Sequence, residues 1–449
     1  MVSFIISVVA LILGYILYGK FVEKAFGINE SNAMPCDVNR DDVDYMPLPT
    51  WKVYMIQFLN IAGTGPIFGA IMGILFGPAA YLWIVFGCIF AGAVHDYLTG
   101  MISVRKGGAS LPTIVGDEMG KGIKIFITAF SIILLLLVGT VFTVTAADLL
   151  ASLTSDFSWS SQQLWITIIF VYFVLATLFP ISTLIGRLYP FFGAALLLMA
   201  VGVLYGIFFK PGWMPEFTDG LSGFHPKGLP VFPMVCVTIA CGAISGFHAT
   251  QSPMMARCIL NERYGRKVFY GSMITEGIVA LIWAAAAIKF AGSYEALQSI
   301  GTPGVVIHKV SAAWLGIAGA ALAVLGVVVA PITSGDTAFR SARLIVAENR
   351  HVDQSKVYKR ILLCIPLFAI ACILINLDFS VLWRYFAWSN QVVACIMLWA
   401  GYLWLRRNGK NYWIALIPAI FMTIVCVSYI LLAPEGLNLW GKWLSAYFN

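Results

Sequence analysis

Two apolar stretches of this chain, each long enough to cross a bilayer, are interrupted in the middle in the same manner. One reads Asn60-Ile-Ala-Gly-Thr-Gly-Pro66 and runs on to Gly69. The other reads Cys241-Gly-Ala-Ile-Ser-Gly-Phe-His-Ala-Thr-Gln-Ser-Pro253. Each sets glycines and hydroxyls mid-span and follows them with proline. Inside hydrocarbon an unpaired backbone amide costs several kcal/mol, so a broken helix persists only where protein or a cavity surrounds it. Two such breaks in corresponding halves of a polytopic protein point to the binding site of a transporter.

That argument requires a membrane protein, and composition supplies one. Charged residues make up 11% of the 449 positions, hydrophobic ones 60%, and the mean hydropathy is +0.88; soluble domains carry about 25% charge. A span takes ~20 apolar residues. Twelve stretches are expected to cross: 2–19, 51–77, 79–103, 123–152, 162–184, 189–209, 231–259, 268–290, 313–342, 357–376, 380–405 and 412–432. Residues 303–312 read as a short helix on the outer surface. The nine cysteines contain no CxxC pair and lie mostly in apolar runs, so free buried thiols are expected rather than disulfides. No basic region precedes the apolar residues 2–18, while Lys20 and Lys24 follow them. This reads as a retained first helix with its N-terminus outside.

Charge tests the span count. With that orientation Lys210, Lys227, Lys289, Lys309, Arg384 and Lys442 face outward, and the other 22 of the 28 basic residues face the cytoplasm. One missed span would scramble the alternation. Both termini then lie outside. The basic residues are scattered over short loops, which suits anionic lipid and not nucleic acid. The broken spans are the second and the seventh. Setting the first aside leaves two five-helix blocks entering the membrane from opposite sides, an inverted repeat with one helix appended. The expected units are a peripheral helix and cytoplasmic loop (1–50), the first repeat (51–209), the second repeat (210–405) and a final helix (406–449).

At the first break the helix is expected to unwind at Ala62–Gly65 and to restart with Pro66 at its first position, where a missing N–H costs nothing. Thr64 or Gly65 would cap it. At the second it is expected to loosen around Gly242–Gly246 and to restart at Pro253 with Ser252 as cap. Each new half-helix aims its positive end at mid-membrane, a ready site for a carboxylate. Asn60, Gly63, Thr64, Gly65, Pro66, Ser245, Gly246, His248, Thr250, Gln251 and Ser252 are the candidate substrate-binding residues. Two proline kinks with close glycine packing are the plainer explanation of one such segment, and the matching positions of two favour a site.

Ionisable groups inside the spans are His95, Asp96, His248, Glu276 and Asp336, each a functional candidate because a buried charge is costly. His248 can bond a substrate carboxylate, carry a proton, or satisfy a freed carbonyl. Asp96 is either a coupling acid or a structural partner of the opposite break. Glu276 either titrates or caps a neighbouring helix. Asp336 has Arg340 one turn on, which favours a local ion pair. Thr333 and Ser334 offer hydroxyl oxygens for a small cation. His95, Asp96 and His248 also have the chemistry of metal ligands, although neighbours on one helix point about 100° apart.

At these motifs the chain resembles the carbon starvation protein A (CstA) family. The residues that carry the resemblance are Ala62-Gly-Thr-Gly-Pro66 with Gly69, Ala91-Gly-Ala-Val-His-Asp96, Ser103-Val-Arg-Lys-Gly-Gly-Ala-Ser110, Thr238-Ile-Ala-Cys-Gly-Ala-Ile-Ser-Gly-Phe-His-Ala249 and Asp336-Thr-Ala-Phe-Arg-Ser-Ala-Arg343. They run from about residue 50 to 345, and the chain is similar to the compact branch. The resemblance implies the amino acid–polyamine–cation superfamily, a leucine-transporter-like five-plus-five core, and uptake of pyruvate or short peptides during carbon limitation. It also implies a cation site where Ala62 or Gly65 meets Thr333 and Ser334. The expected function is a symporter in the plasma membrane of a prokaryote, using no cofactor, not an enzyme, and driven by H⁺ or Na⁺. Ala62, Thr333, Ser334, Asp96 and Glu276 are its candidate coupling residues. The alternative is a membrane-embedded metalloenzyme using His95, Asp96 and His248. A channel fits less well, because no filter-like repeat is present, and no nucleotide-binding loop suggests drive by ATP.

Overall fold

The computed structural model describes residues 1–154, 157–178, 185–323, 328–354, 356–377, 379–433 and 436–439. Helices account for most of them, and no strand occurs among them. Helix α1 covers Val2–Phe26. The first interrupted span follows as α2 (Thr50–Ile61) and α3 (Thr64–Phe76), bent by 47°. Then come α4 (Ala79–Arg105), the short α5 (Leu111–Met119), α6 (Lys121–Leu153), α7 (Gln162–Leu178) and α8 (Ile185–Phe209). The second interrupted span is α9 (Val231–Thr238) and α10 (Gly246–Ala256). After it lie α11 (Glu262–Ala291), α12 (Tyr294–Ile300), α13 (Pro303–Ala323), α14 (Val329–Asn349), α15 (Val357–Leu374), α16 (Phe379–Arg407) and α17 (Trp413–Leu432).

Among the described residues eight helices are long and apolar enough to cross a membrane, or nine with the bent pair counted as one. The protein is a multi-pass membrane protein. Its lipid-facing helices show it in their side chains: α1 exposes Ile5, Val9 and Ile12, α15 exposes Leu362 and Ile365, and α17 exposes Ile417 and Ile424. The polar helices are wrapped inside. Every residue of α10 is buried, and α14 buries Thr333, Ser334, Asp336, Arg340 and Arg343. Helix α14 runs along α6, α10 packs between α4 and α16, and α3 lies on α11. All described cysteines are free, and Cys372 alone among them is exposed.

Several boundaries differ from those expected. The first half-helix restarts at Thr64 with Gly63 at the cap position, so Pro66 is its third residue, not its first. A proline is tolerated there because the amides of the first turn have no intrahelical partner. The second restart is at Gly246, well before Pro253, which sits inside α10 close to its end, and Ser252 is an interior residue and not a cap. Residues 303–312 and the start of the expected span 313–342 lie in α13, which is kinked at Gly316 (φ 61°), and the later part of that span lies in α14. Residues 179–184 and 324–327 of the expected spans, the side chains of Arg187 and Arg384, and Lys442 lie outside the described residues.

Candidate functional site

The two breaks meet. A Cβ built on Gly65 would stand 2.5 Å from Cys241 Sγ, and one on Gly69 would stand 2.8 Å from the Thr238 carbonyl oxygen. Pro66 lies against Gly242. Glycine at these places is what lets two backbones approach within contact distance. The carbonyls freed in the second break find side-chain donors: Trp83 Nε1 donates to Ile239 O at 3.1 Å and Gln391 Nε2 to Cys236 O at 2.9 Å.

The cap of the second half-helix comes from a distant part of the chain. Asn390 Oδ1, on α16, accepts the Phe247 amide at 2.6 Å, and Asn390 Nδ2 lies 2.9 Å from Ser245 Oγ and 3.5 Å from Cys241 Sγ. Ser245, Gly246, Cys241 and Gly65 therefore share one small region between the half-helix N-termini. Thr250, Gln251 and Ser252 lie further along α10 and turn elsewhere. The Thr250 hydroxyl donates to Phe247 O at 2.6 Å, Gln251 Nε2 reaches Ser341 Oγ at 3.3 Å, and Ser252 Oγ accepts from Gln57 Nε2 at 3.1 Å. Around the first break, both side-chain polar atoms of Asn60 and the hydroxyl of Thr64 are buried without a hydrogen-bond partner. Buried polar groups are rarely left so, and such groups are what a ligand would satisfy. Phe142 stands over Gly63 and meets Phe247 edge-on at 6.3 Å.

The candidate cation residues also converge. Ser334 Oγ lies 3.2 Å from Asn60 O and 3.4 Å from Leu59 O, and a Cβ on Gly63 would meet it at 2.6 Å. Thr333 differs: its hydroxyl donates to Ala330 O at 2.9 Å within α14. Ala62 is buried at the end of α2, with its amide bonded to Phe58 O.

Four ionisable side chains form a buried chain across three helices. His95 Nδ1 and Asp96 Oδ1 are 2.8 Å apart, Asp96 Oδ2 and His248 Nδ1 3.0 Å, and His248 Nε2 and Glu276 Oε2 3.5 Å. The chain joins α4, α10 and α11, and all four side chains are fully buried. A π-turn at Gly87–Gly92 precedes the His95–Asp96 pair on α4, an irregularity often found beside functional residues. Each oxygen of Asp96 is engaged by one histidine. The three proposed metal ligands thus bind one another in a row and do not surround a point, and no group of three or more His, Cys, Asp or Glu among the described residues is placed to hold a metal ion. Arg340, expected beside Asp336, faces Asp44 from the segment between α1 and α2 at 3.4 Å.

Sequence reasoning missed Asn390, Trp83, Gln391 and Asp44. The polar run Ser389-Asn390-Gln391 inside an apolar helix was the available signal for the first and third. For Asp44 the signal was an acid in the long segment between α1 and α2, and nothing near it marked a partner.

The family model described as Carbon starvation protein CstA matches residues 1–161, 150–324 and 307–429. An uncharacterized membrane protein of Haemophilus influenzae is 43% identical over 357 residues, covering 69% of this chain and 96% of that protein. A peptide transporter CstA of Bacillus subtilis is 30% identical over 351 residues, 63% of this chain and 57% of its own length. A pyruvate/proton symporter BtsT of Escherichia coli is 28% identical over 359 residues, 65% of this chain and 50% of its own length. The chain thus spans about half the length of these two named transporters.

Proposed function

This chain belongs to the carbon starvation protein CstA family, and from that premise we propose that it is a proton-coupled secondary transporter importing small carboxylates, pyruvate or short peptides, by alternating access. The observation that carries the reading is the buried row His95–Asp96–His248–Glu276, which ties the second half-helix to α4 and α11. Unneutralised carboxylates deep in a membrane protein are costly, and gain or loss of a proton there changes which arrangement is stable. His248 is the third residue of α10, so a change in its protonation bears directly on the docking of that half-helix.

The substrate carboxylate would sit between the half-helix N-termini, at Gly63–Pro66 and Ser245–His248, with Asn60 and Thr64 supplying the unpaired polar atoms and Thr250, Gln251 and Ser252 holding the half-helix from behind. In this reading the chain has twelve spans: a peripheral helix in 1–50, a repeat in 51–209, an inverted repeat in 210–405 that contains the helices α12 and α13, and a last helix in 406–449. The basic loops would face the cytoplasm of a prokaryotic cell and both termini the outside. Support for this orientation is the charge bias alone.

A second reading is favoured by Ser334, whose hydroxyl stands against the carbonyls of Leu59 and Asn60: Na⁺ there, with Ala62 and Thr333 adjoining, would couple in place of H⁺. Uptake of labelled pyruvate and of a dipeptide into proteoliposomes under separate H⁺ and Na⁺ gradients tests the proposal. Accumulation driven by an inward H⁺ gradient without Na⁺ is expected. Uptake that requires Na⁺ and ignores the pH gradient overturns proton coupling, and no accumulation of either substrate under either gradient overturns the transporter.

A further inference from the structure

Along the first turns of α6, residues three and four positions apart share one face: Lys121, Lys124, Ile125, Thr128, Ala129 and Ile132. That face lines a groove of about 550 Å³, bordered across from it by Asn349, the last residue of α14. The volume is of the size that holds a small-molecule ligand, ~300–1,000 Å³. The face changes character along its length. Two lysines stand at its start, and Ile125, Ala129 and Ile132 follow within the apolar span Lys121–Ala151. Thr128 brings little polarity, because its buried hydroxyl donates back to Lys124 O at 2.6 Å. From Lys121 to Ile132 the helix rises about 16 Å, which is about one leaflet of a hydrocarbon core ~30 Å thick.

Among the described residues neither Lys121 nor Lys124 has an ion pair, and the carboxylates closest in the chain to the groove are engaged elsewhere. Asp117 and Glu118, at the end of α5, take Lys106 at 2.8 and 3.1 Å, and Glu118 also takes Arg407 at 2.8 Å. Glu348, beside Asn349, faces Arg257 at 3.4 Å. The stem of Lys124 is held in place: a Cβ on Gly116 would stand 2.5 Å from its Cδ, so the side chain lies along the α5 backbone. Such packing of the methylenes leaves the ammonium at the tip to meet a charge. Helix α6 has no acidic residue in its first turn to offset the two lysines.

We propose that this groove holds one anionic phospholipid, with its phosphate between Lys121 and Lys124 and an acyl chain along Ile125, Ala129 and Ile132. The order of groups on the helix face, charge and then hydrocarbon, is the order in such a lipid. Lysine binds phosphate as a point charge, and basic residues at the end of a span attract anionic headgroups. A free anion would answer the lysines and leave Ile125, 73% exposed, and Ala129 uncovered. A zwitterionic lipid would fill the groove but carries its own cation beside the phosphate. The bound lipid would bridge the start of α6 and the end of α14, two helices that run along each other. The inference needs the membrane fold and not the transporter reading.

The full chain is purified in a mild detergent, stripped of lipid, and given phosphatidylglycerol, phosphatidylcholine or glycerophosphate; bound lipid is counted by native mass spectrometry and stability is read as the melting temperature. One phosphatidylglycerol should remain bound under activation that removes phosphatidylcholine, and it should raise the melting temperature by several degrees. Lys121→Gln with Lys124→Gln should lower its retention severalfold, and Lys121→Arg with Lys124→Arg should keep it. Ala129→Trp fills the groove without touching the charges and should lower retention as well. Lys20→Gln with Lys24→Gln removes two exposed lysines of α1 and should leave retention unchanged. Equal retention of the two lipids overturns the proposal, as does an equal loss from the α1 pair, which would mean attraction to charge anywhere on the surface. Stabilisation by glycerophosphate as large as that by the lipid overturns the lipid as occupant. If Ala129→Trp does not fold, the two lysine pairs decide.

Discussion

Asp96 and His248 are 152 positions apart in the chain, yet their side chains meet at 3.0 Å with neither exposed to solvent. The contact binds α4 to the start of the second half-helix, and Glu276 stands at the other nitrogen of the same imidazole. Under the proposed coupling, a proton shared along this row would bear on the position of α10.

If the row carries the coupled proton, Asp96→Asn and Glu276→Gln should abolish accumulation driven by a pH gradient while sparing substrate exchange across the membrane without a gradient. His248→Ala should lower uptake about tenfold or more, the equivalent of ~1.4 kcal/mol in the barrier, and change the pH profile of initial rates. An unchanged pH profile of initial uptake rates assigns His248 to structure.

The approach of Gly65 to Cys241 leaves no space for a side chain. Gly65→Leu should yield a folded protein, judged by gel filtration and helical circular dichroism, that no longer binds substrate. Gly65→Ala should be milder, and Cys241→Gly should partly restore it, because both close atoms belong to Cys241. Undiminished binding by Gly65→Leu counts against a site between the half-helices.

Asn390→Leu deprives the Phe247 amide and Ser245 of their partner. A buried donor left unsatisfied costs about 1–3 kcal/mol. The melting temperature in detergent should fall accordingly, and Asn390→Asp should lose less, since it keeps the acceptor oxygen. Equal melting of Asn390→Leu and the unsubstituted protein would show that the cap contributes nothing.

Thr333→Val combined with Ser334→Ala removes the hydroxyl that faces the Leu59 and Asn60 carbonyls. Proton-driven uptake should survive this pair of changes at close to its original rate, and any stimulation by Na⁺ should vanish. Loss of H⁺-driven uptake would place the coupling ion at α14 and not at Glu276.

Burial alone would raise the Asp44 carboxyl, but Arg343, Arg340 and Arg257 outweigh it and hold the group below its ordinary value of 3.8. A carboxylate depressed in the folded state stabilises above its unfolded value, and that stability is lost as pH falls through the lower folded value. Thermal stability should therefore drop more steeply below pH 3.8 for the unsubstituted protein than for Asp44→Asn. Parallel pH–melting curves would refute the ion pair.

The sequence by itself determined the membrane class, the places where two spans break, and the short roster of buried ionisable groups. Apolar length sets the first, because a bilayer has a fixed thickness. Glycine with proline sets the second, because neither continues a helix without loss. It misjudged where the second half-helix begins: Pro253 looked like a start, while the start at Gly246 depends on Asn390, 143 positions from Phe247. It named Asp96, His248 and Glu276 one by one and could not join them, and it gave no sign that Asp44 lies beside Arg340 in space. Periodicity reports which face of a helix is buried and is silent on what that face meets. Which cap, counter-charge or proton partner a buried group takes is decided by distances between helices, and those exist only once the helices have packed.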